Sequence, residues 1–136
     1  MASASEEPRL TPYDRLGGRE VLQRITDRFY DLMDGDPAYA RLRAMHAPDL
    51  APMRRSLAGF LAAWCGGPRD WFEENPGKCM MSAHAGLPID RETAGQWADA
   101  MRRAIADAAP ADPDIATLVA ERLEMIAHAM GGSRRV

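Results

Sequence analysis

The sequence has 136 residues, a length that fits one domain. Hydrophobic residues make up 46% and charged residues 27%, which is typical of a globular chain and excludes wholesale disorder. A net charge of −3 disfavours binding to nucleic acid through charge. No apolar run reaches the roughly 20 residues that span a bilayer, and the polar N-terminus does not resemble a secretory signal. We therefore expect a soluble, cytoplasmic protein with no membrane or nucleic-acid partner.

The two ends of the chain lack the apolar periodicity of the rest. Residues 1–10 are predicted to be a disordered or frayed tail and residues 133–136 a C-terminal tail, on either side of one domain at 11–132. Cys65 and Cys79 are too few for a disulfide scaffold and do not form a C-x-x-C pair.

The first half of the domain predicts helices. Pro12–Leu16 can form one short turn of helix that two glycines end. Apolar residues at three- and four-residue spacing predict a long helix from Arg19 to about Asp34. A short helix is predicted from Pro37 to about Met45, and a regular apolar stripe predicts another from about Ala51 to Cys65.

The second half begins with a segment that has no clear period. Arg69 to Lys78 is predicted to be an irregular connection, and Cys79 to Ala85 a short helix. Asp90 can cap the next helix, and Asp112-Pro113 starts the last one, which runs to a glycine cap at Gly131-Gly132. The apolar stripes of these two helices comprise Trp97, Met101, Ala104, Ile105 and Ala108, and Ile115, Leu118, Val119, Leu123, Ile126, Ala127 and Met130. Four long amphipathic helices around one core predict an all-α fold.

The histidines are the residues most able to carry chemistry. His46, His84 and His128 contain no pair at i, i+4 and no His-Glu-x-x-His zinc motif. Glu-x-x-His pairs, a Gly-x-Ser-x-Gly elbow and a phosphate-binding glycine loop are also missing from the sequence. On spacing alone, a single histidine beside apolar residues such as Met80 is more often structural than a ligand.

Several short segments follow one another in a specific order. They are residues 13–18 (YDRLGG), 28–30 (RFY), 42–46 (LRAMH), 60–68 (FLAAWCGGP), 84–89 (HAGLPI) and Trp97. In order and spacing, from about Thr11 to Met130, the chain resembles the group II truncated haemoglobins. The resemblance implies a shortened globin fold, a two-over-two helical sandwich, that holds haem b. Because Cys-x-x-Cys-His is absent, the haem would carry no thioether links.

The resemblance also implies roles for single residues. His84 matches the proximal histidine that binds the haem iron. Tyr30 and Trp97 match two distal hydrogen-bond donors, although both rings could instead fill the core. His46 matches a distal position over the haem, where it could donate to a ligand, bind the iron or lie in solvent.

Further residues match positions around the cofactor. Met53 and Leu57 match the distal helix, although ordinary core packing predicts almost the same contacts. Trp71 matches an aromatic near the haem edge, and a core or surface aromatic is an equally good interpretation. Met80 is an apolar neighbour of the proximal histidine.

The sequence departs from the family where basic residues can pair with the haem carboxylates. Met81 and Ala83 occupy these positions. We therefore expect either that Lys78 or Arg69 anchors the carboxylates or that this anchoring is weak.

The function implied by the resemblance is reversible binding of dioxygen and other diatomic ligands, for storage, transport or sensing, by a monomer or homodimer. Nitric-oxide dioxygenation and peroxide chemistry stay open. Either reaction would need a separate reductase, because the chain has no flavin or nicotinamide domain. One alternative is a haem-free helical interaction module, which the missing basic residues motivate. A small cysteine-based redox protein is a weaker alternative.

Overall fold

The fold is helical throughout the part of the chain that the structure describes. The computed structural model describes residues 10–76, 89–108 and 110–132, and within these ranges it contains no β-strand. The helices are α1 (Pro12–Leu16), α2 (Arg19–Gly35), α3 (Ala40–Ala44), α4 (Ala51–Trp64), α5 (Asp70–Glu74), α6 (Arg91–Ala108) and α7 (Pro113–Gly132), with a 3-10 turn at Pro37–Tyr39 before α3. The predicted all-α class is confirmed.

Local sequence signals set several helix ends. Gly17 ends α1 with φ 122°, a backbone conformation that glycine adopts without strain. Asp90 caps α6, because its Oδ1 accepts the backbone N–H of Thr93 at 2.9 Å. Asp112 does the same for α7, where its Oδ1 accepts the N–H of Ile115 at 3.2 Å. The predicted starts of both long C-terminal helices are confirmed.

The long helices form two layers. α2 packs on α4, α6 packs on α7, and α2 and α6 contact each other across the middle. The largest fully buried apolar side chains come from both layers and include Leu22, Ile25, Phe29, Met33, Leu61, Met101 and Leu123. This arrangement is the predicted two-over-two helical sandwich. No helix in the described ranges is both long and apolar enough to cross a membrane.

The prediction of an irregular connection after Arg69 is wrong for Asp70–Glu74, which form α5. Five residues are too short to show a helical period. The rings of Trp71 and Phe72 pack edge-on against Phe60 of α4, with centroids 5.2 and 6.0 Å away. Tertiary packing therefore stabilises a helix that local pattern does not predict.

Three smaller predictions are also corrected. The short helix predicted from Pro37 to Met45 is divided into the 3-10 turn and α3. Leu118 does not share the buried stripe of α7, because it is 44% exposed. Gly131 does not cap α7 but lies inside it, because the helix continues to Gly132. A Cβ added at Gly131 would come within 2.9 Å of the Ala94 Cβ on α6. The glycine permits close packing of α7 on α6. The helix predicted at Cys79 to Ala85 lies outside the described residues.

Candidate functional site

A cavity of about 340 Å³ lies between the two helical layers. Its lining comprises Tyr30, Leu42, Met45, His46, Ala47, Met53, Ser56, Leu57, Phe60, Trp71, Ile89, Thr93, Ala94, Trp97, Ile126, Ala127 and Met130. Most of these side chains are apolar, and a few polar groups stand among them. An apolar cavity with a small number of polar groups is the usual form of a ligand or cofactor site.

Tyr30 places a phenol on this cavity from α2. The residue is only 4% exposed. Its ring packs edge-on against Phe29, at a centroid distance of 4.9 Å, and lies 6.1 Å from the His46 ring. Burial raises the pKa of the Tyr30 phenol to about 12, an effect that the Arg54 charge opposes. The hydroxyl is therefore protonated at neutral pH and can donate a hydrogen bond.

Trp97 of α6 also packs against Phe29. The Trp97 and Phe29 ring centroids are 5.3 Å apart, and the rings are inclined at 62°. Within the described ranges, neither the Tyr30 hydroxyl nor the Trp97 indole N–H has a hydrogen-bond partner in the protein. Both residues line the cavity, and each has a donor that a molecule inside it could use.

His46 lies at the end of the α3 segment and faces the same cavity. Its Nδ1 is 2.9 Å from the carbonyl oxygen of Leu42. A carbonyl oxygen can only accept, so Nδ1 carries a proton. The Leu42 N–H in turn donates to Gln96 Oε1 at 3.0 Å, which ties this segment to α6. His46 is partly exposed and lines the cavity.

Of the predicted cofactor contacts, Met53, Leu57 and Trp71 all line the cavity. Met53 is 37% exposed although it belongs to the apolar stripe of α4. Arg69 is not among the lining residues, and its guanidinium carbon lies 5.0 Å from the Phe72 ring centroid.

Three predicted site residues, His84, Lys78 and Met80, lie outside the described residues. The residue that resumes the described chain is Ile89, five positions after His84, and it lines the cavity.

The sequence analysis missed two polar residues at this site. Ser56 follows Met53 by three positions on α4, and its Oγ accepts the Trp71 indole N–H at 3.1 Å. Thr93 precedes Trp97 by four positions on α6 and hydrogen-bonds to Asp90. Helical spacing from a predicted site residue could have identified both as lining candidates.

Comparison with known proteins agrees with this architecture. Residues 11–131 match the family described as bacterial-like globins. The group II 2-on-2 haemoglobin of Agrobacterium tumefaciens is similar with a TM-score of 0.86 and 27% identity, over 92% of this chain and 96% of that one. A thermostable haemoglobin of Thermobifida fusca has a TM-score of 0.79 and 30% identity, over 89% and 96% of the two chains.

A third similar structure is the truncated oxygen-avid haemoglobin of Bacillus subtilis. It has a TM-score of 0.79 and 28% identity, over 89% of this chain and 98% of that one. The resemblance to the group II truncated haemoglobins is thereby confirmed. The family match covers nearly the whole described fold. The chain therefore belongs to the bacterial-like globin family of haem-binding proteins.

Proposed function

We propose that this globin holds haem b and reversibly binds dioxygen and related diatomic ligands. The observation that carries the proposal is the pair of hydrogen-bond donors, Tyr30 and Trp97, on one apolar cavity. The similar protein from Bacillus subtilis is described as oxygen-avid, which agrees with a site of this kind.

The cavity lining fits haem b. The macrocycle is flat and largely apolar, and apolar or aromatic side chains form most of the lining, many of them from α4, α6 and α7. Met53, Leu57 and Trp71 would contact the macrocycle. Met80 stands four positions before His84 in the sequence and would lie near it. His84 would bind the iron through an imidazole nitrogen. When bound, haem would supply an iron atom that can take up a diatomic gas.

The two donors would stabilise the gas on the distal side. A hydrogen bond to a charged acceptor contributes about 1.5–3 kcal/mol, so these donors would favour a ligand that carries partial negative charge in the cavity. The Tyr30 phenol and the Trp97 indole can each donate one such bond. Met53 and Leu57 have no comparable donor and would keep the pocket dry.

His46 could act on the distal side in one of two ways. Its Nδ1 lies 2.9 Å from the Leu42 carbonyl oxygen, so Nδ1 carries a proton and any role toward the iron or the gas falls to Nε2. His46 would either donate a hydrogen bond to a gas in the cavity as the imidazolium or, when no gas is present, bind the iron.

The proposal extends to the domain bounds, the haem carboxylates and the setting in which the protein acts. The globin domain spans residues 11–132, and Lys78 or Arg69 pairs with the haem carboxylates. Such exposed pairs contribute only about 0–1 kcal/mol. The protein acts in the cytoplasm as a monomer or homodimer, and any turnover of nitric oxide or peroxide depends on a separate reductase.

Optical spectra of the ferric, ferrous and carbon-monoxide forms test this function. The wild type should take up hemin and give a haem-b spectrum in all three forms. His84→Ala should change the ferrous spectrum and weaken haem retention, and His46→Ala should change the ligand-free forms alone. His128→Ala is a matched control, because that histidine is 53% exposed and pairs with Glu124 on α7. A colourless protein that does not take up hemin would favour the haem-free interaction module instead.

A further inference from the structure

Arg54 of α4 is fixed against α2 beside the Tyr30 ring. Its guanidinium carbon lies 5.9 Å from the ring centroid, in a cation–π position. One nitrogen donates to the backbone oxygen and to Oδ1 of Asp27, both at 3.1 Å. The other donates to Asp31 Oδ1 at 2.7 Å. Because both of its terminal nitrogens are hydrogen-bonded to α2, the guanidinium has little freedom to move away from the ring.

The cation is better shielded from water than the anions that hold it. The Arg54 side chain is 28% exposed, against 45% for Asp27 and 57% for Asp31. Solvent therefore screens the carboxylates more than the guanidinium, and the positive charge dominates at the ring. The same charge favours the ionised phenol and so opposes the rise in the pKa of Tyr30 that burial causes.

A positive charge beside a phenol also changes its hydrogen bonding. It draws electron density from the hydroxyl and makes the O–H a stronger donor to a negatively charged acceptor. Contact with the guanidinium further restrains the ring of Tyr30, a residue that lines the cavity. Arg54 itself is not among the lining residues, so it can affect a ligand there chiefly through Tyr30.

We propose that Arg54 is a positioning residue that orients the Tyr30 ring and strengthens the hydrogen bond its hydroxyl donates to a ligand in the cavity. This inference rests on the proposed function, since it concerns a ligand at the same site.

A double-mutant cycle on dioxygen release tests the inference. Arg54→Gln should speed release by about two- to fivefold, because the hydrogen bond from Tyr30 to the ligand is weakened but not lost. In the Tyr30→Phe background the same substitution should change the rate by less than about 1.5-fold. Arg55→Gln is the matched control, because Arg55 is the exposed neighbour on the same helix, and it should leave the rate unchanged in both backgrounds.

A second measurement needs no bound gas. Difluorotyrosine is placed at position 30 of the full chain, and its ionisation is followed by fluorine NMR with and without hemin. Arg54→Gln should raise the pKa of this phenol, and Arg55→Gln should not. If Arg54→Gln does not fold, Arg54→Lys should give a smaller shift in the same direction, because an ammonium cannot form the two-sided contact with Asp27 and Asp31.

The outcomes separate this inference from the proposed function. If the wild type takes up no haem, the function fails, while the fluorine titration still reports on Arg54 and Tyr30. If haem binds and Tyr30→Phe speeds release, but Arg54→Gln has an equal effect with and without Tyr30, the inference is overturned alone. An unchanged phenol pKa in Arg54→Gln would also overturn it.

Discussion

Replacing Tyr30 by Phe removes one oxygen atom from the cavity and little else. The Tyr30 ring is held by Phe29 and by His46, and both contacts survive the change. The lost interaction is a hydrogen bond from a buried phenol to a partly charged ligand, about 1.5–3 kcal/mol. Release of dioxygen should therefore become about 10- to 150-fold faster. Because the pKa of Tyr30 is raised to about 12, the effect should be the same across neutral pH.

Stopped-flow displacement of dioxygen by excess carbon monoxide measures this rate. Tyr39→Phe is the matched control, since Tyr39 is equally buried but donates to Asp99 Oδ2 at 2.6 Å, away from the cavity lining. It should cost stability and leave the release rate unchanged. A release rate for Tyr30→Phe within about twofold of the wild type would refute the reasoning, since it corresponds to less than about 0.5 kcal/mol.

Three further predictions follow from other residues. Trp97→Phe should speed dioxygen release by about tenfold in the same assay, because one N–H donor is lost. An unchanged rate would mean that the indole only fills the core and does not donate to the ligand. Asp90→Asn should lower the Tm at neutral pH, because the cap to Thr93 and the Arg41 charge depress the Asp90 pKa. That difference should be present above about pH 4 and be lost as pH falls further. Burial raises the pKa of the Cys65 thiol to about 11, so in a Cys79→Ser variant it should react with thiol reagents only as the protein unfolds; rapid native labelling at pH 8 would contradict this.

Helix ends were predictable where a local chemical signal sets them. Asp90 and Asp112 cap their helices as expected, because an aspartate before a helical run satisfies the first free N–H groups wherever the helix packs. α5 was not predictable in this way. It depends on Trp71 and Phe72 packing on Phe60, which lies on a different helix, and contacts of that kind leave no period in five residues.

The site also contains some features that the local sequence predicts and others that depend on tertiary packing. Helical spacing alone places Tyr30 at the margin of one stripe and Trp97 on another, but it cannot show that both border Phe29 and one cavity. The family resemblance supplied that relation. Arg54 gave no sequence signal, because an arginine on an amphipathic helix is ordinarily a solvated residue, and only the packing of α4 on α2 brings it to the Tyr30 ring.

A hemin titration of the purified chain tests the central claim most directly. Trp71 and Trp97 line the cavity, so hemin bound there should quench tryptophan fluorescence as its absorbance band sharpens. The account predicts that both signals saturate together at one equivalent of hemin per chain. Quenching that rises without saturation, as for hemin adsorbed on an outer surface, would contradict it.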